Sequence, residues 1–214
     1  AQENVAIQIA QQMSDYINNG AVVNALNTPH ISIEEAPKLK PYLDLSNKLG
    51  KLAGQITESS ISKISINFIG SASKLNSKPL VASLIAGIFS SRMESVNIIN
   101  SIMTAKQKNI EIITSLQETS RNYLTEILLE VTTENRTVSF TGSLFANTPR
   151  IVNIMNMRIE AELTSNMLFI SNTDKPGFIG SLGTALGNEN INIATFNLGR
   201  TKNGDAIALL EVDQ

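Results

Sequence analysis

The sequence predicts an α+β protein in which antiparallel sheets carry their helices on one face. Two observations predict this class. Apolar residues recur every three to four positions in some segments and at every second position in others, which indicates amphipathic helices and half-buried strands. No sequence unit repeats along the 214 residues. A break near Ser165 divides the chain into two regions, each long enough to bury a core.

The composition excludes several classes of function. The 17 basic and 19 acidic residues leave a net charge of −2, so the broad positive field that favours nucleic acids or anionic membranes is missing. The lack of cysteine and the single histidine exclude disulfides, thiolate metal sites and two-histidine metal sites. The longest apolar run, residues 79–89, is shorter than the ~20 residues that cross a bilayer. We therefore expect no metal, nucleic acid or membrane as a partner, and a cytoplasmic location.

The chain opens with a pattern typical of an amphipathic helix. Apolar residues recur at near-helical spacing and predict a helix over residues 2–18 that ends at Asn18-Asn19-Gly20. The following segment has no apolar surface to cover this helix, and the chain starts at Ala1, inside the helical pattern. We interpret the sequence as a piece of a longer protein. Residues 20–33 contain several Asn, Gly, Pro and Ser residues and are predicted to form a linker.

A second helical region follows the linker. Ser32, with Glu34 and Glu35 in the next turn, indicates a helix start. Pro37 and Pro41 are expected to break it, so that the regular helix covers residues 42–56.

Strands then alternate with further helices. Residues 61–69 alternate apolar and polar side chains, which predicts a half-buried strand. Pro79 fits the first turn of a helix over residues 80–93 that is apolar almost all round and therefore buried. The remaining predicted elements are strands at 110–114, 123–131, 136–145, 150–160 and 166–172, a helix at 176–187, and strands at 190–198 and 205–212.

The stretch from residue 172 to residue 180 carries the candidate chemistry because it joins a strand to a helix. Asp174 can cap the first free amides, Pro176 presets the first helical φ, and Gly177 lets a ligand approach the backbone. The helix N-terminus offers unpaired N–H groups and partial positive charge to a carboxylate. A side-chain carboxylate beside it can hold an ammonium group. The combination predicts a pocket for a zwitterionic amino acid.

Asn192 opens the next strand with an amide that can donate and accept hydrogen bonds. Each feature also has a structural interpretation. A capping Asp in an Asp-x-Pro-Gly turn is commonly structural, and an isolated Asn is commonly a turn residue. The combination of Asn172, Asp174, Pro176-Gly177 and Asn192 around one helix is what favours binding.

These residues resemble the ACT domain, a small βαββαβ module that binds amino acids at a dimer interface. More widely, the chain resembles the C-terminal regulatory end of the D-3-phosphoglycerate dehydrogenase family. The segments that carry this resemblance are residues 1–5, 22–29, 35–41, 148–152, 172–180, 183–187, 191–194 and 198–200.

The resemblance implies a domain order. Residues 1–19 would be the terminal helix of a nucleotide-binding domain and 20–33 a linker. Residues 34–163 would be the intervening, allosteric substrate-binding domain, with an α/β-sandwich-like fold. Residues 164–214 would be a ferredoxin-like ACT domain that lacks its last helix and strand.

The resemblance also implies a regulatory function. L-Serine or a similar small amino acid would bind at an ACT interface of a homo-oligomer, a dimer or a tetramer, through Asn172, Asp174 and Asn192. Asn172 stands where family members that respond to serine often carry His or Tyr. Arg150 falls at a position that would hold an anion in the intervening domain, although nearby Met157 and Glu162 replace residues that are basic in some members. A solvated surface charge is the alternative for Arg150.

No catalytic role is expected of these 214 residues themselves. They contain no Gly-x-Gly-x-x-Gly fingerprint, and the family's catalytic residues would precede Ala1, so NAD would bind the parent enzyme outside this segment. Two other functions stay open: a regulatory subunit of an iron–sulfur L-serine dehydratase, and a purely structural dimerisation module.

Overall fold

The computed structural model describes residues 2–120, 122–201 and 204–213 and shows an α+β protein with two sheets. The helices are α1 (Gln2–Asn19), α2 (Ala36–Ile56), α3 (Ser77–Ser90), α4 (Ser101–Gln107) and α5 (Phe178–Asn188). The strands are β1 (Ile61–Gly70), β2 (Glu111–Gln117), β3 (Thr125–Thr133), β4 (Thr137–Phe145), β5 (Thr148–Ile154), β6 (Met157–Glu162), β7 (Met167–Thr173), β8 (Ile193–Arg200) and β9 (Asp205–Val212).

Six strands form the larger sheet in the order β2-β1-β3-β4-β5-β6. All neighbouring pairs are antiparallel except β1 and β2, which are parallel. The expectation of purely antiparallel sheets is therefore wrong for this pair. The connection from β1 to β2 contains α3 and α4, and a crossover of this length returns the chain in the same direction.

The core of the larger sheet lies under α2 and α3. Buried side chains of both helices belong to one apolar cluster with the inward-facing residues of β1, β3 and β4. α3 is buried from Pro79 to Phe89, as its apolar sequence predicted. The two helices approach so closely that a Cβ added at Gly54 would collide with the Ile88 carbonyl oxygen, and one at Gly87 with the Asn47 carbonyl oxygen.

α2 begins earlier than predicted. It starts at Ala36 and continues through Pro41, so the expected break at Pro41 is wrong. Proline in the second turn removes a single N–H···O bond and leaves the helix to continue. The helix start predicted at Ser32 is instead a turn that leads into α2, which itself begins at Ala36: the Ser32 N–H donates to Glu35 Oε2 (3.2 Å) and the Glu35 N–H donates to Ser32 Oγ (3.2 Å). This reciprocal pair is a capping box.

The single strand predicted over residues 150–160 is two strands, β5 and β6. Met155 and Asn156 join them with φ of 50° and 62°, the left-handed conformation of a two-residue hairpin turn. Because neither residue is glycine or proline, no strong turn signal separates the two strands. The short helix α4 was also not predicted.

The smaller sheet has the antiparallel order β7-β9-β8. On one face, Ile207 and Leu209 of β9 join the apolar cluster of the larger sheet. β8 lies against β6, where a Cβ on Gly199 would be 3.1 Å from the Arg158 carbonyl oxygen. On the opposite face of β9, Ala206, Ala208 and Leu210 are also buried.

The N-terminal helix α1 matches its prediction in extent but buries none of its residues. Its large apolar side chains are exposed: Val5, Ile7, Ile9, Met13, Tyr16 and Ile17. The segment that follows is held against the core, because Val22 pairs with Ile31 through two backbone hydrogen bonds and Ala21 is buried. Within the described residues, no helix is both long and apolar enough to cross a membrane.

Candidate functional site

The carboxyl end of β7 holds Asn172, which pairs with Ala206 on β9. The Asn172 Nδ2 group donates to the Thr173 carbonyl oxygen at 3.1 Å. The Oδ1 atom is buried and accepts no hydrogen bond from the described residues. A buried acceptor without a donor is unfavourable, so this oxygen is suited to receive a donor from a ligand.

Asp174 follows β7 and makes two contacts that fix its position. Its N–H donates to the Gly204 carbonyl oxygen at 2.7 Å, and its carboxylate accepts a hydrogen bond from Arg200 Nη1 at 3.3 Å. The expectation that Asp174 caps α5 is wrong, because the helix begins at Phe178 without a side-chain cap.

Gly177 is the residue before α5 and has a left-handed φ of 90°. This conformation is one that glycine adopts without steric cost, and it turns the chain between Pro176 and the helix. Pro176 therefore lies in the turn. The expectation that it occupies the first helical position is wrong, because α5 begins at Phe178. A Cβ at Gly177 would meet no atom of the described residues within 4 Å, so those residues leave the uncapped first turn of α5 open to an anion. Within that turn the Phe178 N–H donates to the Lys175 carbonyl oxygen at 3.4 Å, whereas the N–H groups of Ile179 and Gly180 have no intrahelical acceptors.

Asn192 lies at the other end of the smaller sheet. Its Nδ2 group donates to Asp213 Oδ2 at 2.6 Å, and the next residue, Ile193, pairs with Val212. Asn172 pairs with Ala206, which lies six residues from Val212 along β9. At 3.3 Å per residue, the two ends of the sheet are therefore about 20 Å apart. One copy of the chain thus brings together Asn172, Asp174 and Gly177, but not Asn192.

Arg150 lies on the uncovered face of the larger sheet. Its guanidinium lies over the Phe145 ring at 5.4 Å from the centroid, a cation–π geometry. Its Nε atom is buried and has no hydrogen-bond partner among the described residues. Glu162 of β6 stands opposite Arg150 in the strand pairing.

A polar cluster beside Arg150 was missed by the sequence reasoning. Glu160 Oε1 accepts hydrogen bonds from the Tyr123 hydroxyl at 2.9 Å and from Arg158 Nη2 at 3.0 Å. The Tyr123 ring packs edge-on against Phe145, with centroids 5.6 Å apart. Alternation along residues 157–162 could have placed Arg158 and Glu160 on one face, but Tyr123 is distant in sequence.

The ionisation of this cluster follows from its hydrogen bonds. The bonds from Arg158 and then Tyr123 lower the pKa of Glu160. Burial, and then the bond to Glu160, raises the pKa of Tyr123. At neutral pH the cluster therefore contains the Glu160 carboxylate as an anion, the Tyr123 phenol in its neutral form and the Arg158 guanidinium as a cation.

A cavity of about 600 Å³ separates α2 from the smaller sheet. Leu52, Phe169 and Leu209 form part of its apolar wall, and Lys51 and Arg136 stand at its rim. Neither Asn172 nor Asp174 lines it, so the cavity is separate from the corner that holds these two residues.

Comparisons with known proteins give one family. Residues 38–155 match the family model described as the D-3-phosphoglycerate dehydrogenase intervening domain. The whole chain aligns with the D-3-phosphoglycerate dehydrogenases of Synechocystis sp. (35% identical) and Bacillus subtilis (30%), covering 39% and 41% of their lengths. It also aligns, at 26% identity, with 40% of D-3-phosphoglycerate dehydrogenase 3, chloroplastic, of Arabidopsis thaliana. The chain thus spans about two fifths of these relatives.

Proposed function

This chain belongs to the D-3-phosphoglycerate dehydrogenase family, and from that premise we propose that it is a regulatory and oligomerisation segment of such an enzyme. The segment binds L-serine or a similar small amino acid between two copies of its smaller sheet. The NAD-dependent oxidation of 3-phosphoglycerate to 3-phosphohydroxypyruvate takes place in the rest of the parent protein. An L-serine dehydratase remains an alternative parent, but the relatives reported above are dehydrogenases.

The separation of Asn192 from Asn172 and Asp174 is the observation that carries the proposal. The residues lie at opposite ends of the smaller sheet, so they contact one ligand only if Asn192 comes from a second copy. A two-fold axis beside α5 brings opposite ends of two sheets together and produces two equal sites. Oligomerisation and ligand binding then depend on the same surface.

The chemistry of the corner fits an amino acid with a small polar side chain. The first-turn amides of α5 bind the ligand carboxylate, and Asp174 pairs with its ammonium group. The unpartnered Asn172 Oδ1 accepts a hydrogen bond from a hydroxyl such as that of serine. Asn192 of the second copy closes the site with an amide.

Regulation follows from thermodynamic linkage. A ligand that binds only when two copies are correctly arranged stabilises that arrangement. The same free energy, typically about 1–3 kcal/mol, is then available to shift the catalytic parts of the parent enzyme between states. The exposed apolar face of α1 is where the preceding nucleotide-binding domain packs.

Calorimetry with L-serine tests the proposal. The unmodified chain is expected to bind L-serine, and both Asp174→Asn and Asn192→Ala are expected to abolish the heat. Glu134→Gln removes an exposed carboxylate far from the corner and is expected to bind normally. Absence of heat with the unmodified chain would instead support a purely structural dimerisation module.

Mixing the two inactive variants tests whether the site is shared. In a mixed dimer, one site combines Asp174 of one chain with Asn192 of the other and is intact, whereas the second site carries both changes. Refolding an equimolar mixture is therefore expected to restore up to about a quarter of the binding sites. If mixing restores none while each variant still dimerises, the site lies within one chain.

Arg150 supports a second binding function, for a phosphorylated or carboxylated anion on the larger sheet. The supporting observation is its buried Nε atom without a partner, held in place by Phe145. Titration with 3-phosphoglycerate, followed by NMR, is expected to shift signals of β5 and β6. Arg150→Gln should remove the shifts, and Arg92→Gln, at an exposed site, should keep them. Unchanged shifts in Arg150→Gln would identify Arg150 as a solvated surface charge.

We place the protein in the cytoplasm, since a chain without cysteine fits a reducing compartment. Fractionation of the source cells with an antibody to this chain tests the location.

A further inference from the structure

β2 is the terminal strand of the larger sheet. The other terminal strand, β6, lies against β8 of the smaller sheet. Among the described residues, β2 pairs with β1 on one side and with no strand on the other. Alternate N–H and C=O groups along its outer edge therefore point away from the sheet, which is the usual template for adding another strand.

The outer edge of β2 lacks the features that normally prevent such pairing. Natural edge strands are blunted by lysine, proline, bulges or inward-pointing charges. β2 contains no proline, and its one charged residue, Glu111, stands at its start, while the β1–β2 register is continuous from Lys63 to Ile69.

Apolar side chains are exposed around the same edge. Leu116 of β2 and Met103 of the adjacent helix α4 are 58% and 60% exposed. Ile113, which is 40% exposed, points to the opposite face of the sheet, because successive side chains of a strand alternate between the two faces. The Ile110 N–H donates to the Ala105 carbonyl oxygen, which ties α4 to the start of β2. An unpaired backbone edge and an apolar patch thus occur together, as in surfaces that bind another protein.

The sequence of β2 is complementary to itself in an antiparallel pairing. If a two-fold axis passes through Thr114, Glu111 of one copy faces Gln117 of the other, so a carboxylate meets an amide and not a second carboxylate. Ile112 faces Leu116, which places apolar side chains together on one face. This register pairs all seven residues of the strand, whereas any shift leaves some of them unpaired.

We propose that two copies of this chain pair antiparallel through β2, with the two-fold axis at Thr114, and form one continuous sheet. The axis stands perpendicular to the sheet, so α4 of both copies lies on the same side, and Met103 of one copy approaches Leu116 of the other. An unrelated peptide would lack the residue-by-residue match. This interface is separate from the amino-acid site on the smaller sheet and does not depend on it.

Single cysteines test the register, because the natural chain has none. Directly opposed residues of an antiparallel pair have Cα atoms ~4.5–5.5 Å apart, within the ~4.4–6.8 Å range of a disulfide. Thr114→Cys is therefore expected to form a covalent dimer under mild oxidation. Glu111→Cys alone should not, since its two copies would lie about 20 Å apart, but an equimolar mixture of Glu111→Cys and Gln117→Cys should cross-link.

Charges at the axis test the interface without a cross-link. Thr114→Lys and Thr114→Glu each place like charges opposite each other and should weaken self-association through this edge at least tenfold in analytical ultracentrifugation, while their mixture restores it. Ser139→Lys, in the central strand β4, should leave association unchanged. The proposal is overturned if Thr114→Cys cross-links no faster than Glu111→Cys, or if neither charged variant weakens association. Loss of serine binding with intact Thr114→Cys cross-linking would count against the amino-acid site alone.

Discussion

Asp174, after β7, is ion-paired with Arg200 at the end of β8: Oδ2 and Nη1 lie 3.3 Å apart across the intervening strand β9. The Arg200 and Asp174 side chains are 68% and 38% exposed, so the pair contributes less than about 1 kcal/mol to folding. The ion pair has a larger effect on ligand binding. The positive charge of Arg200 offsets the negative charge of Asp174 and so weakens the attraction of Asp174 for a second cation.

Replacement of Arg200 is therefore expected to separate binding from stability. Two unit charges 4 Å apart in water interact by about 1 kcal/mol, so Arg200→Gln should strengthen binding of the L-serine ammonium group by up to about fivefold. The free energy of unfolding should change by less than about 1 kcal/mol. Calorimetry and urea unfolding measure the two effects, with Arg92→Gln as the control. Weaker binding in Arg200→Gln would mean that Arg200 itself contacts the ligand carboxylate.

Replacing glycine by alanine at two helical positions is expected to change the free energy of unfolding in opposite directions. Gly54→Ala places a methyl group against the Ile88 carbonyl oxygen, and such overpacking should lower the free energy of unfolding by about 1–3 kcal/mol. Gly183 of α5 has no atom within 4 Å of an added Cβ, so Gly183→Ala should raise it by up to about 1 kcal/mol through helix propensity. Urea unfolding of both variants checks this. Equal effects would show that the close contact of α2 and α3 does not persist in solution.

Local elements were predictable where one face is buried, because burial imposes a period on the sequence. β1 was predicted almost to the residue, since Ile64, Ile66 and Phe68 alternate with polar residues. The parallel pairing of β1 with β2 was not predicted, because it depends on the path that the chain takes through α3 and α4 between the two strands. The turn at Met155-Asn156 was also hidden, since it uses left-handed residues other than glycine.

The site shows the same limit. The local sequence around Asn172, Asp174 and Gly177 indicated that these residues lie together, and the structure places them at one corner. The position of Asn192 follows from strand order, which no local pattern contains. The bond between Tyr123 and Glu160 joins the segment before β3 to strand β6 and likewise had no signal in the sequence.

The capping box at the start of α2 predicts a change in acid response. The hydrogen bond from the Ser32 hydroxyl, 2.8 Å long, and then the bond from the Ser32 N–H lower the pKa of Glu35 below its ordinary 4.5. A carboxyl group whose pKa is lowered by folding stabilises the folded state when the pH is above the ordinary pKa of the group. This stabilisation is lost as the pH falls through the folded-state pKa. Ser32→Ala should therefore raise the pKa of Glu35 and reduce the loss of stability on acidification.

Carbon-13 NMR titration of the Glu35 carboxyl measures this shift, and unfolding at neutral and acid pH measures its consequence. The neighbouring Glu34→Gln variant is the matched control and should leave the pKa of Glu35 nearly unchanged. An unaltered titration of Glu35 in Ser32→Ala would show that the capping box is absent in solution.

The hairpin between β4 and β5 predicts a stabilising substitution. Ala146 and Asn147 have φ of 48° and 68°, a conformation that costs a residue with a Cβ about 1–2 kcal/mol. Glycine avoids that cost but loses about 0.5–1 kcal/mol more backbone entropy than alanine on folding, so Ala146→Gly should raise the free energy of unfolding by about 0.5–1 kcal/mol. Ala194 of strand β8 is exposed and is not in the left-handed conformation, so Ala194→Gly brings only the entropic cost. This substitution should lower the free energy of unfolding by about 0.5–1 kcal/mol. Urea unfolding compares the two variants, and a loss of stability in both would exclude the left-handed turn at Ala146.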